Sequence, residues 1–218
     1  MLPSHSNTLH LTQLSHHAIE QLSPTFESLP KTQHADGQYR LRRYSVISFS
    51  DGKLQQLGKQ KFMQTNDINR FQGNVVRQFE PILESTLASA GMRELVELFA
   101  SANSLPNNQE IEIHQMRISA VFDETQVAPE GIHQDGFNHI ALVGIDRSNI
   151  VGGEIMLYRN NNEAPFFRKV LEDGEVAMLA DDKLWHNAKP IRCINKNRAG
   201  HMDVFVLTAK EPSHALHS

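Results

Sequence analysis

The chain has one cysteine, Cys193, among 218 residues. That scarcity excludes an intrachain disulfide framework and predicts a reducing compartment, so we expect the protein in the cytoplasm. Long apolar runs are also missing, since nothing approaches the ~18 consecutive apolar residues of a membrane-spanning helix. Residues 1–20 are polar and lack the apolar core of a secretory signal, which agrees with the same location.

The chain also lacks a strong charge of either sign. Its 21 Lys and Arg against 25 Asp and Glu give a formal net charge of −4. No basic cluster is long enough to bind a phosphate backbone, so no nucleic-acid partner is predicted. No Gly-x-Gly-x-x-Gly, P-loop or serine nucleophile elbow occurs, which argues against nucleotide chemistry and acyl transfer.

The length fits one domain, 1–218, in which residues 1–108 form an N-terminal helical and hairpin elaboration and residues 109–210 form the core. Apolar spacing and turn residues predict a helix within residues 9–29, a hairpin from 39 to 58 that turns at Asp51-Gly52, and a helix over residues 81–102 with a break at Gly91.

The second half is rich in short strands. Residues 140–145 are almost continuously apolar, which is typical of a strand covered on both faces. Gly152-Gly153 and Asp173-Gly174 mark turns between further short apolar segments. Many short strands separated by turns predict a sandwich or barrel, so we expect a mainly β fold with flanking helices.

The pattern His-x-Asp occurs three times, beginning at His34, His133 and His201. Only His133 and Asp135 are followed at a distance by a suitable histidine, His186. Residues two apart on an extended strand point to the same side, so these two can converge on one ion that a later strand completes. Two histidines and one carboxylate form the facial site of non-heme Fe(II) oxygenases. The alternative is a turn with solvated polar groups.

Several segments around this motif occur together in a fixed order. They are residues 42–45, 76–80, 114–117, 128–136, 149–154, 179–186, 189–191 and 203–208. With them the chain resembles the small bacterial Fe(II)/2-oxoglutarate-dependent dioxygenases that include the isoleucine 4-hydroxylases. The resemblance extends over residues 39–209.

The resemblance implies a double-stranded β-helix (jelly roll) in which His133, Asp135 and His186 ligate Fe(II) and carry catalysis. It implies 2-oxoglutarate and O2 as co-substrates and a small-molecule substrate, a free aliphatic L-amino acid or a relative, that is hydroxylated as 2-oxoglutarate is decarboxylated to succinate. The alternatives are a jelly-roll metal-binding protein without turnover and a metal enzyme with another co-substrate.

One position departs from the family. An arginine usually precedes the Asp-Val of the last strand and binds the distal carboxylate of 2-oxoglutarate, but here that residue is Met202. A thioether cannot donate to a carboxylate. Four alternatives stay open: Arg117 on a neighbouring strand, Arg198, His201 after a register shift, or a changed pocket. We predict Arg117 or Arg198, and favour Arg117 because a cation in a buried strand requires a partner.

Two further pairs of residues are candidates for a site. Arg42 and Arg43 are adjacent on a strand, so only one can face the barrel mouth, and Arg43 is our prediction for a residue that binds the substrate; a surface role is equally open. Asp181 and Asp182 could suggest acid–base work. Because consecutive side chains in a turn diverge, we interpret this pair as turn residues.

Overall fold

The computed structural model describes residues 8–58 and 76–211. Its elements in chain order are β1 (Leu9–Gln13), α1 (His16–Leu22), a 3₁₀ helix (Ser23–Ser28), β2 (Arg40–Ser50), β3 (Lys53–Leu57), α2 (Glu84–Leu87), α3 (Ala90–Ala102), β4 (Gln109–Ser119), β5 (His139–Ser148), β6 (Ile150–Gly152), β7 (Ile155–Tyr158), β8 (Phe167–Lys169), β9 (Glu175–Ala180), β10 (Trp185–Ala188), β11 (Ile191–Cys193) and β12 (His201–Ala209).

The strands form two facing layers. The larger layer is a seven-stranded sheet in the order β1-β9-β5-β12-β4-β2-β3, antiparallel throughout. The smaller layer is made of the sheet β10-β7-β8 and the pair β11-β6. Ile140 and Leu179 of the large sheet pack against Ile155 and Leu157 of the small one. Because the chain crosses repeatedly between the layers, the fold is the predicted jelly roll.

The helices cover the outer face of the large sheet. Alternation along β12 directs Phe205 and Leu207 toward the helices, whereas Val204 and Val206 line the space between the sheets. The Phe26 ring packs edge-on against Phe205 with 5.0 Å between ring centroids. Alternation along the strand therefore directs one set of side chains into the core beneath the helices and the other set into the space between the two sheets.

Helix α3 follows from its sequence. The Ser89 hydroxyl caps its first turn by accepting the Met92 N–H at 3.1 Å. Leu95 and Phe99, one turn apart, are fully buried. Gly91 lies where α1 crosses, and a Cβ there would lie 2.8 Å from the Ala18 carbonyl oxygen. The glycine is therefore required by the close approach of two helices.

The predicted elements are mostly confirmed, with two corrections. Strands β2 and β3 form the expected hairpin around Asp51-Gly52. The helix predicted within residues 9–29 is wrong in its first part, because Leu9–Gln13 pairs with β9 as an edge strand. The helix predicted over residues 81–102 begins at Glu84 and is interrupted at residues 88–89 rather than at Gly91, since Ser89 caps a new helix.

The N-terminal 108 residues supply strands β1, β2 and β3 to the same sheet as β4, β5, β9 and β12.

Within residues 8–58 and 76–211, no helix has both the length and the apolar character needed to cross a bilayer.

Candidate metal centre

The site begins with a backbone contact between two histidines. His133 follows Gly131, whose φ of +79° turns the chain into the extended segment that carries the His-x-Asp motif. The His133 N–H donates to the His186 carbonyl at 3.0 Å, and the His186 N–H donates back at 2.9 Å. This isolated bridge places the two imidazole rings side by side, with centroids 4.3 Å apart.

Asp135 completes the group. Its Oδ2 lies 3.2 Å from His186 Nε2, and its Oδ1 lies 3.6 Å from His133 Nε2. All three potential ligand atoms lie within 4.8 Å of one another. Burial opposes ionisation of Asp135, but hydrogen bonds and charge attraction from the two histidines hold its pKa well below its usual range. The carboxyl is therefore charged and ready to bind a cation.

Both histidines present Nε2 to the same point. His133 Nδ1 lies 2.8 Å from the Gly131 carbonyl oxygen, to which it donates, so in the neutral ring, the form that binds a metal, Nε2 carries the lone pair. His186 Nδ1 faces Asp181 Oδ1 at 3.4 Å. Burial by itself would lower the pKa of His186, but Asp135 and Asp181 raise it to about 10 in the metal-free protein. Partners of this kind fix imidazole orientation in metal sites.

Asp181 anchors the loop that carries Asp135. This fully buried carboxylate accepts the backbone N–H groups of Asp135 at 2.8 Å, Gly136 at 2.9 Å and Phe137 at 3.2 Å. The interpretation of Asp181 as a turn residue missed this role. Residues 181–183 do form a turn, and Asp182 is exposed. The buried Asp181, however, reaches across to the loop that precedes β5.

The donor set fits Fe(II). Two imidazole nitrogens and one carboxylate oxygen on one side of a cavity match a facial site, with room left for exogenous ligands. Among the residues described, Asp146, His201 and Asp203 form a second group with ligand atoms close together. There, however, both Asp203 oxygens accept from Arg117, at 2.7 and 2.8 Å, so that group is internally paired.

A cavity of about 140 Å³ opens between the two sheets, and the triad forms part of its wall. Four arginines also line it: Arg40, Arg42 and Arg77 at one side and Arg147 on β5. Glu130 contributes an acid whose Oε1 lies 3.4 Å from His133 Nε2. Apolar side chains, including Leu142, Ile155 and Val206, supply the remaining wall.

The structure does not bring Arg117 and Arg198 to this cavity. Arg117 forms a bidentate pair with Asp203 and reaches Glu27 at 2.9 Å, so its guanidinium is already occupied. Arg198 is exposed in the turn before β12. His201 Nε2 donates to Asp146 Oδ2 at 2.8 Å and is likewise occupied. The cavity-facing cation near Met202 is Arg147 instead.

Arg43 also points away from the cavity. It bonds Glu80 at 2.8 Å and the Pro81 carbonyl at 3.1 Å on the other face of β2. Alternation along the strand therefore directs Arg42 inward. The expectation that only one of the two faces the interior is confirmed, but the residue is Arg42. Arg77 and Glu130 were missed because only the tertiary fold brings their loops to the site.

Comparison with known proteins supports this geometry. A family model described as 2OG-Fe dioxygenase matches residues 23–208. A BsmA homologue from Methylobium petroleophilum PM1 is similar in structure, with 27% identity, a TM-score of 0.76 and coverage of 89% of this chain and 81% of that one.

Two other solved structures show the same fold. IDO from Bacillus thuringiensis has 18% identity and a TM-score of 0.75, with 94% of this chain and 92% of that one covered. The Fe(II)/α-ketoglutarate-dependent dioxygenase TqaL has 11% identity and a TM-score of 0.69, with 95% and 83% covered. No curated protein matches the chain in sequence.

Proposed function

Because the chain belongs to the 2OG-Fe dioxygenase family, and so uses Fe(II), 2-oxoglutarate and O2, we propose that it hydroxylates a free aliphatic L-amino acid or a closely related small molecule. When bound, iron and 2-oxoglutarate supply the oxidising chemistry: one atom of O2 enters succinate as CO2 leaves, and the other enters a substrate C–H bond. His133, Asp135 and His186 would hold the iron, and Asp181 would keep the Asp135 loop in place.

Buried Arg42 is the observation that carries the substrate proposal. Its guanidinium lies 4.9 Å from the centroid of the Phe79 ring and lines the cavity. Burial, reinforced by neighbouring Arg40, lowers the pKa of Arg42 to about 9, although the nearby acids Asp36 and Glu130 oppose that shift. No ion pair among residues 8–58 and 76–211 includes Arg42. A substrate carboxylate would supply the missing anion.

Glu130 supplies the opposite charge that an amino acid needs. Its side chain is largely buried, and Oε2 has no hydrogen-bond partner among the described residues. An α-ammonium group would satisfy that oxygen. With Arg42 for the carboxylate and apolar Met116 and Val127 for the side chain, the cavity offers each part of an aliphatic amino acid a matching surface.

A coupled assay tests the proposal. The Fe(II)-loaded protein is incubated with 2-oxoglutarate, O2 and a panel of L-amino acids, while succinate and products heavier by one oxygen atom are measured by mass spectrometry. Amino acid amides and N-acetyl amino acids are matched controls, because each removes one charge. We expect coupled product only from free aliphatic amino acids. Equal turnover of the amides would exclude a role for Arg42 in carboxylate binding.

The same assay covers the alternatives. A metal-binding protein without turnover would release no succinate, whether or not an amino acid is present. Succinate release in the absence of an amino acid would therefore exclude this alternative. An enzyme with another co-substrate would act in the absence of 2-oxoglutarate. We include a cytoplasmic location in the proposal, since the single Cys193 is a free thiol.

A further inference from the structure

In the family that the chain resembles, an arginine stands before the Asp-Val of the last strand, whereas this chain has Met202. Met202 is buried and packs in an apolar cluster with Met116, Ile118, Ile150 and Ile191. It lines the cavity but offers no hydrogen-bond donor. Met202 therefore cannot pair with the distal carboxylate of 2-oxoglutarate, and a cation for that carboxylate would have to come from another residue.

Arg147 is the direct cross-strand neighbour of Met202. The two residues face each other in the antiparallel register of β5 and β12, ahead of the irregularity between Asp203 and Val204. Directly opposed residues project from the same face of a sheet, with Cβ atoms about 5 Å apart. Consequently the Arg147 side chain leaves the sheet beside the Met202 side chain and enters the same end of the cavity.

Gly153 shows that the two side chains end at one place. A Cβ built on this glycine would lie 3.2 Å from Arg147 Nη1 and 3.2 Å from Met202 Sδ. All three residues line the cavity that contains the iron triad. The Arg147 guanidinium therefore ends beside the Met202 side chain, at the same end of the cavity.

The hydrogen bonds of Arg147 leave half of its fork available. Nη2 donates to the Gly152 carbonyl at 2.8 Å, which anchors the guanidinium. Nη1 is buried and has no hydrogen-bond partner among residues 8–58 and 76–211. None of the ion pairs formed within those residues involves Arg147. A buried guanidinium arm without an acceptor favours the binding of an anion.

The two cavity arginines on β2, Arg40 and Arg42, lie far from Met202 across the sheet. In-register pairing places Arg147, Met202, Ile118 and Arg40 in one row across β5, β12, β4 and β2. Three strand spacings separate the ends of that row by about 14 Å. Arg40 already bonds Asp36 at 2.7 Å. The cavity therefore has one cationic end at β2, near Arg42, and another at β5.

We propose that Arg147 binds the distal carboxylate of 2-oxoglutarate, in place of the arginine that Met202 replaces. This inference rests on the proposed function only in its use of 2-oxoglutarate, not in the identity of the substrate. It assigns the two cationic ends of the cavity to two different ligands: Arg147 to the co-substrate and Arg42 to the substrate.

Binding is measured without primary substrate, so the test does not depend on which molecule is hydroxylated. Protein loaded with Mn(II), or with Fe(II) under anaerobic conditions, is titrated with 2-oxoglutarate by calorimetry and by the visible absorption of the iron chelate. The same titrations use 2-oxovalerate, which has the same chain length and lacks the distal carboxylate. Arg147→Gln is compared with Arg198→Gln, a substitution of an exposed arginine outside the cavity.

We expect Arg147→Gln to weaken 2-oxoglutarate binding by roughly 100-fold, the loss typical when one partner of a buried charge pair is truncated. Binding of 2-oxovalerate should stay the same, so the preference for the dicarboxylate disappears. Arg198→Gln should leave both affinities unchanged. The double variant Arg147→Gln/Met202→Arg should recover 2-oxoglutarate affinity, because it returns a guanidinium to the neighbouring position.

Unchanged 2-oxoglutarate affinity in folded, metal-loaded Arg147→Gln would overturn the assignment, as would equal losses for 2-oxoglutarate and 2-oxovalerate. Absence of 2-oxoglutarate binding to the unaltered protein would also overturn it. If Arg147 governs 2-oxoglutarate binding while no amino acid is hydroxylated, only the proposed substrate fails. Should Arg147→Gln not fold, Arg147→Lys keeps the charge without the fork and is expected to bind 2-oxoglutarate at intermediate affinity.

Discussion

The carboxylate of Asp181 accepts the backbone N–H of Asp135 at 2.8 Å, so a fully buried acid outside the metal triad determines where a member of the triad lies. The same carboxylate faces the imidazole of His186. Two of the three ligands thus depend on one side chain that does not itself point at the metal.

We predict that Asp181→Asn weakens Fe(II) or Mn(II) binding by about 10- to 100-fold, the usual effect of losing a partner of metal ligands. The amide can still accept hydrogen bonds but carries no charge toward His186. Metal affinity is measured by anaerobic titration. Asp182→Asn is the matched control. The Asp182 side chain is exposed, so its replacement should leave the metal affinity unchanged.

Metal binding should stabilise the fold. A metal that binds only the native protein adds about 2.7 kcal/mol at a free concentration 100-fold above Kd. We expect Tm to rise on addition of Mn(II) to the unaltered protein and not to rise with His186→Ala. His16→Ala provides the comparison, since His16 is exposed on α1, where it pairs with the exposed Glu20. A Tm increase that survives in His186→Ala would place the metal elsewhere.

Arg117 is expected to matter for stability rather than for the co-substrate. Removing it leaves Asp203, whose side chain is 1% exposed, without its bidentate partner. We predict that Arg117→Gln destabilises the protein by about 3 to 5 kcal/mol, measured by urea unfolding, without altering 2-oxoglutarate affinity in the folded fraction. Glu27→Gln removes only the exposed pair and should change stability by less than about 1 kcal/mol.

Gly153 tests the space around Arg147. In Gly153→Ala the added methyl group would press on Arg147 Nη1 and Met202 Sδ, so we expect weaker 2-oxoglutarate binding by calorimetry. The backbone also has φ +74°, which strains any side chain. Gly52→Ala controls for that strain, because Gly52 has the same φ in the β2–β3 turn and meets only Glu97 Oε1 at 3.5 Å. Equal affinities in the two variants would contradict the expectation.

For Gly91→Ala, the structure predicts whether the free energy of unfolding rises or falls. In an exposed helix, replacing glycine with alanine stabilises by about 1 kcal/mol. Here the Cβ would lie 2.8 Å from the Ala18 carbonyl oxygen, and overpacking of this kind destabilises by about 1 to 3 kcal/mol. We therefore expect Gly91→Ala to lower the free energy of unfolding measured in urea. An increase in the free energy of unfolding would mean that α1 and α3 can move apart without losing stabilising contacts.

The triad could be predicted from sequence because its evidence is local: His133 and Asp135 are two residues apart, and His186 follows a recognisable strand. Strand β5 was predictable for a similar reason, since its apolar run is continuous. The helix predicted across residues 9–13 failed because Leu9 and Leu11 suit either period, and pairing with β9 decides between them. Propensity over five residues is weaker than a partner strand.

The cations could not be predicted in the same way. The choice between Arg42 and Arg43 depends on the parity of β2 relative to the interior, which its mixed sequence does not reveal. Arg147 is visible only through the register of β5 against β12. Asp181 required knowledge that the turn after β9 lies beneath the Asp135 loop. Each of these is a relation between distant segments of the chain.

Arg147 and Met202 lie opposite each other on neighbouring strands, so a side chain from either position reaches the same end of the cavity. A carboxylate in the cavity senses where a guanidinium ends, not which strand it starts from. Two neighbouring strands can therefore exchange a charge between opposed positions while the ligand keeps the same partner. If Arg147 binds the distal carboxylate as proposed, a sequence signature that requires arginine before the final Asp-Val would miss this chain, although the chain carries a guanidinium at the opposed position of the neighbouring strand.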